Sequence, residues 1–87
     1  MSDYNIKIRV VSQTGHCGAG HKVGDEWLTT TKTPEGICIS AFHSMINEIR
    51  VLRYGGTFPW EVDKDVTTVA CNDPKNPVVF ELRRVKK

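Results

Sequence analysis

The sequence predicts a small α+β domain in which one amphipathic helix covers a four-stranded, mostly antiparallel sheet, in the order β-β-α-β-β. Apolar residues alternate in short segments near both ends of the chain, and they recur at helical spacing in one central segment. The 87 residues suit a single domain covering positions 1–87. Packing one helix on one sheet face is the simplest arrangement. A small, partly open barrel plus the helix is the alternative.

Two strands are expected before the helix. The first is expected over residues 4–11, because apolar and polar residues alternate there. Its apolar face consists of Tyr4, Ile6, Ile8 and Val10. A polar, glycine-rich stretch (12–25) separates it from the second strand, which is expected over residues 26–31 and is followed by turn-forming residues.

The helix is expected over residues 38–54, because apolar side chains recur there at spacings of three and four. These side chains are Cys38, Phe42, Met45, Ile49 and Leu52, with Ile39 and Ile46 widening the stripe. Two arginines in the last turn suit the helix dipole, and the glycine pair at 55–56 predicts the end of the helix.

Two further strands are expected after the helix. The third covers residues 66–71, and the fourth covers residues 78–85 with alternate apolar side chains facing the core. The segment 72–77 between them is rich in turn-forming residues, which predicts a hairpin-type connection.

Composition and charge exclude several classes of protein. The net charge is +2, from 12 basic and 10 acidic residues, which is too small to indicate nucleic-acid binding by itself. The chain has no apolar run long enough to span a membrane, and its first residues lack the pattern of a signal peptide. We therefore expect a cytoplasmic protein with no membrane partner, either a monomer or a homodimer.

Three cysteines are the best candidates for chemistry. An odd number does not suit a disulfide framework, so in a reducing compartment they are free thiols, metal ligands or redox groups. Cys17 lies in a glycine-rich segment between His16 and His21, Cys38 lies at the expected helix start, and Cys71 ends the third strand. All three positions are boundaries of elements, where functional sites are commonly built.

These cysteines converge if the first and third strands run in the same direction. A Cys₃ or Cys₃His cluster would then bind a soft or borderline metal, zinc or iron, with His21, His16 or His43 as the fourth ligand. The cysteines are 21 and 33 residues apart and lack the close C-x-x-C pairs of structural zinc sites. A competing interpretation is that Cys38 and Cys71 are buried core residues.

Two other functions remain open from the sequence. In a thiol-redox protein, Cys38 would be the thiolate at the helix start, and Cys17 or Cys71 would resolve the reaction. In a protein or nucleic-acid interaction module, a basic strand and an aromatic loop would form the contact surface. The residues of that surface would be Arg83, Arg84, Lys86, Phe58 and Trp60. Acidic residues close to the basic run argue against nucleic acid.

Several short motifs resemble a known family. They are GHKVGD (20–25), GIC with AFH (36–38 and 41–43), LRYGG with FPW (52–56 and 58–60), VAC (69–71) and VVFELRR (78–84). Together they resemble a family of small conserved hypothetical proteins from mostly anaerobic bacteria and archaea. The resemblance implies a cytoplasmic setting poor in oxygen, but no biochemical activity. In that family proline usually follows the two later cysteines, whereas this chain has Ile39 and Asn72 there.

Overall fold

The computed structural model describes residues 4–86. Within them lie strands β1 (Asn5–Gln13) and β2 (Glu26–Thr29), helix α1 (Ile39–Arg53), and strands β3 (Val66–Ala70) and β4 (Val78–Val85). The strands form one open sheet in the order β2-β1-β4-β3, and every neighbouring pair is antiparallel. This confirms the expected α+β class and element order, with an open sheet in place of the alternative barrel.

The ends of the strands differ slightly from the expected ones. β1 extends to Gln13, which pairs with Val78 at the start of β4. β2 ends at Thr29 and does not reach residue 31. Cys71 follows β3, although its N–H still donates to the carbonyl of Val78 (2.9 Å). Pairing with β4 therefore continues one residue beyond the end of β3.

The hydrophobic core lies between α1 and one face of the sheet. β1 and β4 supply alternate side chains, as their period-two patterns predict. The buried core residues of these three elements are Ile6, Ile8, Val10, Ala41, Met45, Ile49, Leu52, Val78, Phe80 and Leu82. Among residues 4–86 no helix is long and apolar enough to cross a bilayer, since α1 has only 15 residues.

The buried face of α1 is narrower than the sequence predicts. Met45, Ile49 and Leu52 are buried as expected, and Ala41 completes the row. Ile39, which was expected to widen the stripe, is 85% exposed. An α-helix turns by about 100° per residue, so Ile39 at the first position faces away from Ala41 and the sheet.

Strand direction brings the cysteine-bearing segments to one end of the domain. β4 is antiparallel to both β1 and β3, so β1 and β3 run the same way and end at the same edge of the sheet. α1 runs in the opposite direction, since the N–H of Tyr4, just before β1, donates to the carbonyl of Arg53 at the helix end (2.9 Å). The start of α1 therefore lies near the ends of β1 and β3.

A buried arginine stabilises the other end of the domain. Arg84 continues the inward-facing series of β4, and its side chain is only 7% exposed. Its guanidinium donates to the carbonyls of Leu52 (3.0 Å), Gly56 (2.9 Å) and Lys64, and to the carboxylate of Asp65 (2.8 Å). One side chain thus connects β4 to the end of α1 and to the segment that precedes β3.

We expect Arg84→Met to lower the free energy of unfolding by about 2 to 4 kcal/mol, because several partly buried acceptors lose their donor. The matched control is Arg83→Met, since the Arg83 side chain is 41% exposed and makes only surface ion pairs. That control should cost less than about 1 kcal/mol. Urea denaturation measures both, and equal losses would contradict a structural role specific to Arg84.

Candidate functional site

All three cysteines line one cleft at the end of the sheet where β1 and β3 finish. The cleft has a volume of about 400 Å³, and we call it the thiol cleft. Cys17 comes from the loop after β1, Cys38 immediately precedes α1, and Cys71 immediately follows β3. β1 and β3 thus meet the condition under which the sequence places these cysteines together, and all three line one cavity.

Each cysteine is a free thiol that is partly buried. Cys17, Cys38 and Cys71 all pack against the edge of the hydrophobic core while also lining the cleft. Cys38 and Cys71 are therefore at once residues packed against the core and residues of the cleft wall.

Cys38 occupies the N-cap position of α1. Its carbonyl accepts the first helical hydrogen bond, from the N–H of Phe42 (2.9 Å), so the N–H groups of residues 39–41 have no partner within the helix. The Cys38 side chain makes no capping hydrogen bond, and the first turn of α1 contains no acidic residue. The positive end of the helix dipole therefore has no carboxylate beside it in the first turn.

His21 connects the loop after β1 to the start of α1. Its Nε2 atom accepts a hydrogen bond from the N–H of Cys38 (2.9 Å), and its ring packs edge-on against Trp27 (4.9 Å) and Phe80 (6.2 Å between centroids). The side chain is buried. An accepting nitrogen carries no proton, so in this arrangement the imidazole has its proton on Nδ1. Nε2 is thus engaged in holding Cys38.

Cys71 is also held by the backbone. Its Sγ atom accepts a hydrogen bond from the N–H of Val78 (3.3 Å), while its own N–H donates to the carbonyl of Val78. The bond from the Cys71 N–H continues the β3–β4 ladder by one residue, and the bond to Sγ adds a contact to the side chain. Cys71 is therefore the thiol whose position is fixed most directly by the sheet.

The wall of the cleft opposite α1 is a turn between β3 and β4. Asp73 accepts hydrogen bonds from the N–H of Lys75 (3.1 Å) and from the backbone and side-chain N–H groups of Asn76 (3.3 and 3.2 Å). The bond from the Asn76 side chain, followed by that from Lys75, holds the pKa of the Asp73 carboxyl below its ordinary value. The sequence predicts a hairpin-type connection here from its turn-forming residues, and the structure adds the hydrogen bonds that Asp73 accepts.

This turn is fitted closely to the loop after β1. Asn76 Oδ1 accepts a hydrogen bond from the N–H of His16 (2.9 Å). A Cβ atom at position 15 would lie only 2.3 Å from the same oxygen, and Gly15 has a φ of 75°. Glycine is therefore needed at position 15 both for the backbone conformation and for the approach of Asn76. The contact joins the walls that carry Cys17 and Cys71.

The other two histidines do not join the cysteines. His16 is exposed and is not among the residues that line the cleft, and its backbone alone contacts Asn76. His43 lies on the exposed side of α1. Of the three histidines considered as a fourth metal ligand, only His21 reaches the cleft.

A metal centre is not preformed in the described part of the chain. Among residues 4–86, no group of three or more His, Cys, Asp or Glu side chains is arranged to hold a metal ion. The Nε2 atom of His21 and the sulfur of Cys71 instead accept hydrogen bonds from the backbone. A zinc or iron site formed by Cys17, Cys38, Cys71 and either His21 or His16 therefore stays a prediction.

The basic residues of the predicted interaction surface lie in different environments. Arg84 is internal and does not contribute to a surface strip. Arg83 lies on the outer face and is paired with Asp63 (3.2 Å) and Glu81 (3.4 Å). Lys86 is exposed at the end of the described chain. The cationic charge of this strand is thus largely committed within the molecule.

The two aromatic residues of the predicted interaction loop differ in their exposure. Phe58 is buried in the core, whereas Trp60 is 70% exposed. The two rings lie 5.0 Å apart between centroids, with an angle of 36° between their planes. Phe58 therefore anchors the loop and leaves Trp60 on the surface.

Comparisons with known proteins provide no function to transfer. The chain matches no protein-family model, and no curated protein or solved structure matches it. The resemblance of its motifs to the family of small proteins from anaerobes therefore stays a prediction.

We expect Gly15→Ala to disturb the cleft more than Gly20→Ala does. Both glycines have positive φ, but a Cβ at position 20 would have no neighbour within 4 Å. Gly20→Ala should therefore cost only the backbone strain, about 1 to 2 kcal/mol. Gly15→Ala should cost a further 1 to 3 kcal/mol or so, because of the clash with Asn76.

Urea denaturation and the amide resonance of His16 would measure this difference. The His16 resonance should move in Gly15→Ala and stay in place in Gly20→Ala. Equal stability losses with an unmoved His16 resonance would show that the contact between position 15 and Asn76 does not shape the cleft.

The turn at Asp73 should also respond to acid in a defined direction. A carboxyl whose pKa is lower in the folded state stabilises the fold above its unfolded pKa, and this contribution disappears as the pH falls through the lowered value. We expect the amide resonances of Lys75 and Asn76 to shift with pH, and we expect the midpoint of that titration to lie below the ordinary pKa of aspartate. In Asp73→Asn that titration should be absent, and its persistence would assign it to another group.

Proposed function

We propose that this protein binds a small, thiol-reactive molecule in the thiol cleft and reacts with it through Cys38. The observation that carries the proposal is that three free cysteines line one cleft of about 400 Å³. This volume falls within the range of about 300 to 1,000 Å³ that is usual for small-molecule sites. A preformed metal centre is not required by the proposal.

Cys38 is the nucleophile in this proposal because of its place at the N-terminus of α1. The Cys38 side chain makes no capping hydrogen bond, and helix N-termini are positions at which reactive cysteines are commonly found. The hydrogen bond from the Cys38 N–H to His21 fixes the backbone of the nucleophile at the cleft wall. His21 is therefore a positioning residue.

A disulfide is the class of ligand that this arrangement suits. The Cys38 thiolate would attack one sulfur of the ligand, so that a Cys38–ligand disulfide forms while the ligand S–S bond breaks. The second half of the ligand leaves as a thiolate and takes a proton from solvent. Electrons balance because one disulfide replaces another.

Cys17 is the preferred resolving thiol. Its loop contains Gly18 and Gly20, where an added Cβ would meet no neighbour within 4 Å. The Cys17 thiolate would attack the Cys38 sulfur, form a Cys17–Cys38 disulfide and release the first half of the ligand as a thiolate. Cys71 is less suited to this role, because its sulfur accepts the N–H of Val78.

The reactivity of the three thiols tests this function. Oxygen-free protein is mixed with a chromogenic aromatic disulfide, and the release of the aromatic thiolate is followed with time. We expect one fast phase in the unmodified protein and at least a tenfold loss of its rate in Cys38→Ser. Cys71→Ser is the matched control and should keep the fast phase.

Mass mapping after the fast phase distinguishes the resolving step. In Cys17→Ser the mixed disulfide on Cys38 should accumulate, whereas the unmodified protein should form a Cys17–Cys38 disulfide. A fast phase that survives in Cys38→Ser, or equal reactivity of all three thiols, would contradict the proposal.

A soft or borderline metal is the second candidate ligand, and the presence of three cysteines in the lining of one cleft is the observation that favours it. Thiolates select such metals, and movement of the Cys17 loop would be needed to complete a ligand set. Elemental analysis of oxygen-free protein should then find about one zinc or iron per chain, by the stoichiometry of a three-thiolate site. The metal should be lost in Cys17→Ser, Cys38→Ser and Cys71→Ser alike. Metal-free protein that also fails to bind added zinc would reject this candidate.

A further inference from the structure

The outer edge of β3 has the features of a pairing surface. β3 lies at the end of the sheet, with β4 on one side only. We infer that two copies of this chain associate by pairing their β3 strands antiparallel, which joins the two sheets into one. This inference concerns a surface that is separate from the chemistry proposed for the thiol cleft.

The hydrogen-bond pattern shows which backbone groups are available at this edge. The N–H of Arg84 donates to the carbonyl of Asp65, and the N–H of Cys71 donates to the carbonyl of Val78, both at 2.9 Å. Successive residues of an antiparallel strand point their backbone groups in opposite directions. Residues 65, 67, 69 and 71 therefore face β4, and Val66, Thr68 and Ala70 direct their N–H and carbonyl groups outward.

The described part of the chain leaves this edge unprotected. Among residues 4–86, no backbone hydrogen bond from outside the sheet reaches residues 66–70. β3 contains no charged residue and no proline, and its sequence is VTTVA. Natural sheets usually protect an edge with charge, proline, a bulge or a covering segment, so an edge without these features is suited to pairing.

β2, at the other end of the sheet, is a different kind of edge. It has four residues, and Glu26 is one of those that direct backbone groups outward. The N–H of Val10 donates to the carbonyl of Asp25, which places Glu26 and Leu28 in the outward-facing positions. The charge and the short length make β2 the weaker candidate.

β3 is complementary to itself. If a twofold axis passes through Thr68, that residue lies opposite its counterpart, and Val66 lies opposite Ala70. No like charges are brought together within the strand, because the strand has none. Twofold dimers are the commonest symmetric assemblies of soluble proteins. A second copy is therefore the occupant that the strand itself specifies.

The segment before β3 carries exposed apolar side chains. Trp60 is 70% exposed and Val62 is 99% exposed, and both lie in the segment that leads into β3. Glu61, between them, accepts a hydrogen bond from the Thr67 hydroxyl (2.8 Å), which attaches the segment to β3. Large apolar side chains at a surface are commonly covered in interfaces, and a second copy on β3 would approach this segment.

Thr68→Pro tests the inference directly. Because the N–H of Thr68 points away from β4, proline removes a donor from the outer edge and leaves the β3–β4 ladder bonds in place. The matched control is Leu28→Pro, which removes an outward N–H from β2. Sedimentation equilibrium measures the association constant of each protein, and circular dichroism confirms that each is folded.

We expect the unmodified protein and Leu28→Pro to form a dimer, and Thr68→Pro to associate at least tenfold more weakly. Thr68→Lys provides a second variant if proline prevents folding, since it places two positive charges opposite each other at the twofold axis. In hydrogen exchange, the Thr68 amide should be protected only at concentrations where the dimer forms.

Three outcomes would overturn the inference. One is an unmodified protein that stays monomeric at every accessible concentration. Another is a dimer that Leu28→Pro dissociates and Thr68→Pro leaves intact, which would assign the interface to β2. The last is a dimer unaffected by either variant and by Thr68→Lys, which would assign it to a different surface.

Discussion

The pairing of β4 with both β1 and β3 is the constraint on which the rest of the structure depends. Because β4 is antiparallel to each neighbour, the ends of β1 and β3 meet at one edge of the sheet. The loop that carries Cys17 and the turn that follows Cys71 are therefore brought together, and the opposite end receives Arg84 of the same strand. The same order leaves β3 with only one partner. The thiol cleft, the position of Arg84 and the single partner of β3 are therefore all consequences of one strand order.

Within that topology, His21 holds the backbone of Cys38, which is the cysteine of the cleft that comes from the helix start. Its Nε2 atom accepts the N–H of Cys38, and the ring is fixed between Trp27 and Phe80. The bond satisfies a donor at the helix start without supplying a negative charge. An aspartate cap would add a negative charge at this end of the helix, whereas the imidazole does not. His21, four residues after Cys17 in the sequence, is thus hydrogen-bonded to the backbone of Cys38.

The sequence predicted the fold well because its strongest signals are periodic. Apolar residues alternate in β1 and β4, and Met45, Ile49 and Leu52 recur at helical spacing in α1. Each pattern reflects the burial of one face of its element, and it can be recognised from residues that are close together in the sequence. The sequence predicts only conditionally that Cys17 and Cys71 lie at the same end of the sheet, because this depends on the order of the strands.

Two features of the site could not be predicted. The role of His21 depends on a hydrogen bond across 17 residues, and that of Asn76 on a contact across 60 residues with the backbone of His16. Spacing along one chain carries no signal for such contacts. The sequence predicts a surface charge at Arg84 for a similar reason, because three of its four acceptors are backbone carbonyls, which every sequence possesses.

The contact between Gly15 and Asn76 has a consequence for the evolution of this fold. The asparagine oxygen occupies the space that a side chain at position 15 would need, and it holds the next N–H along the chain. Asn76 in this position thus excludes a side chain at position 15, whereas the positive φ of Gly15 favours glycine whatever residue stands at position 76. Among sequences that share this architecture, an asparagine at position 76 should therefore be accompanied by a glycine at position 15.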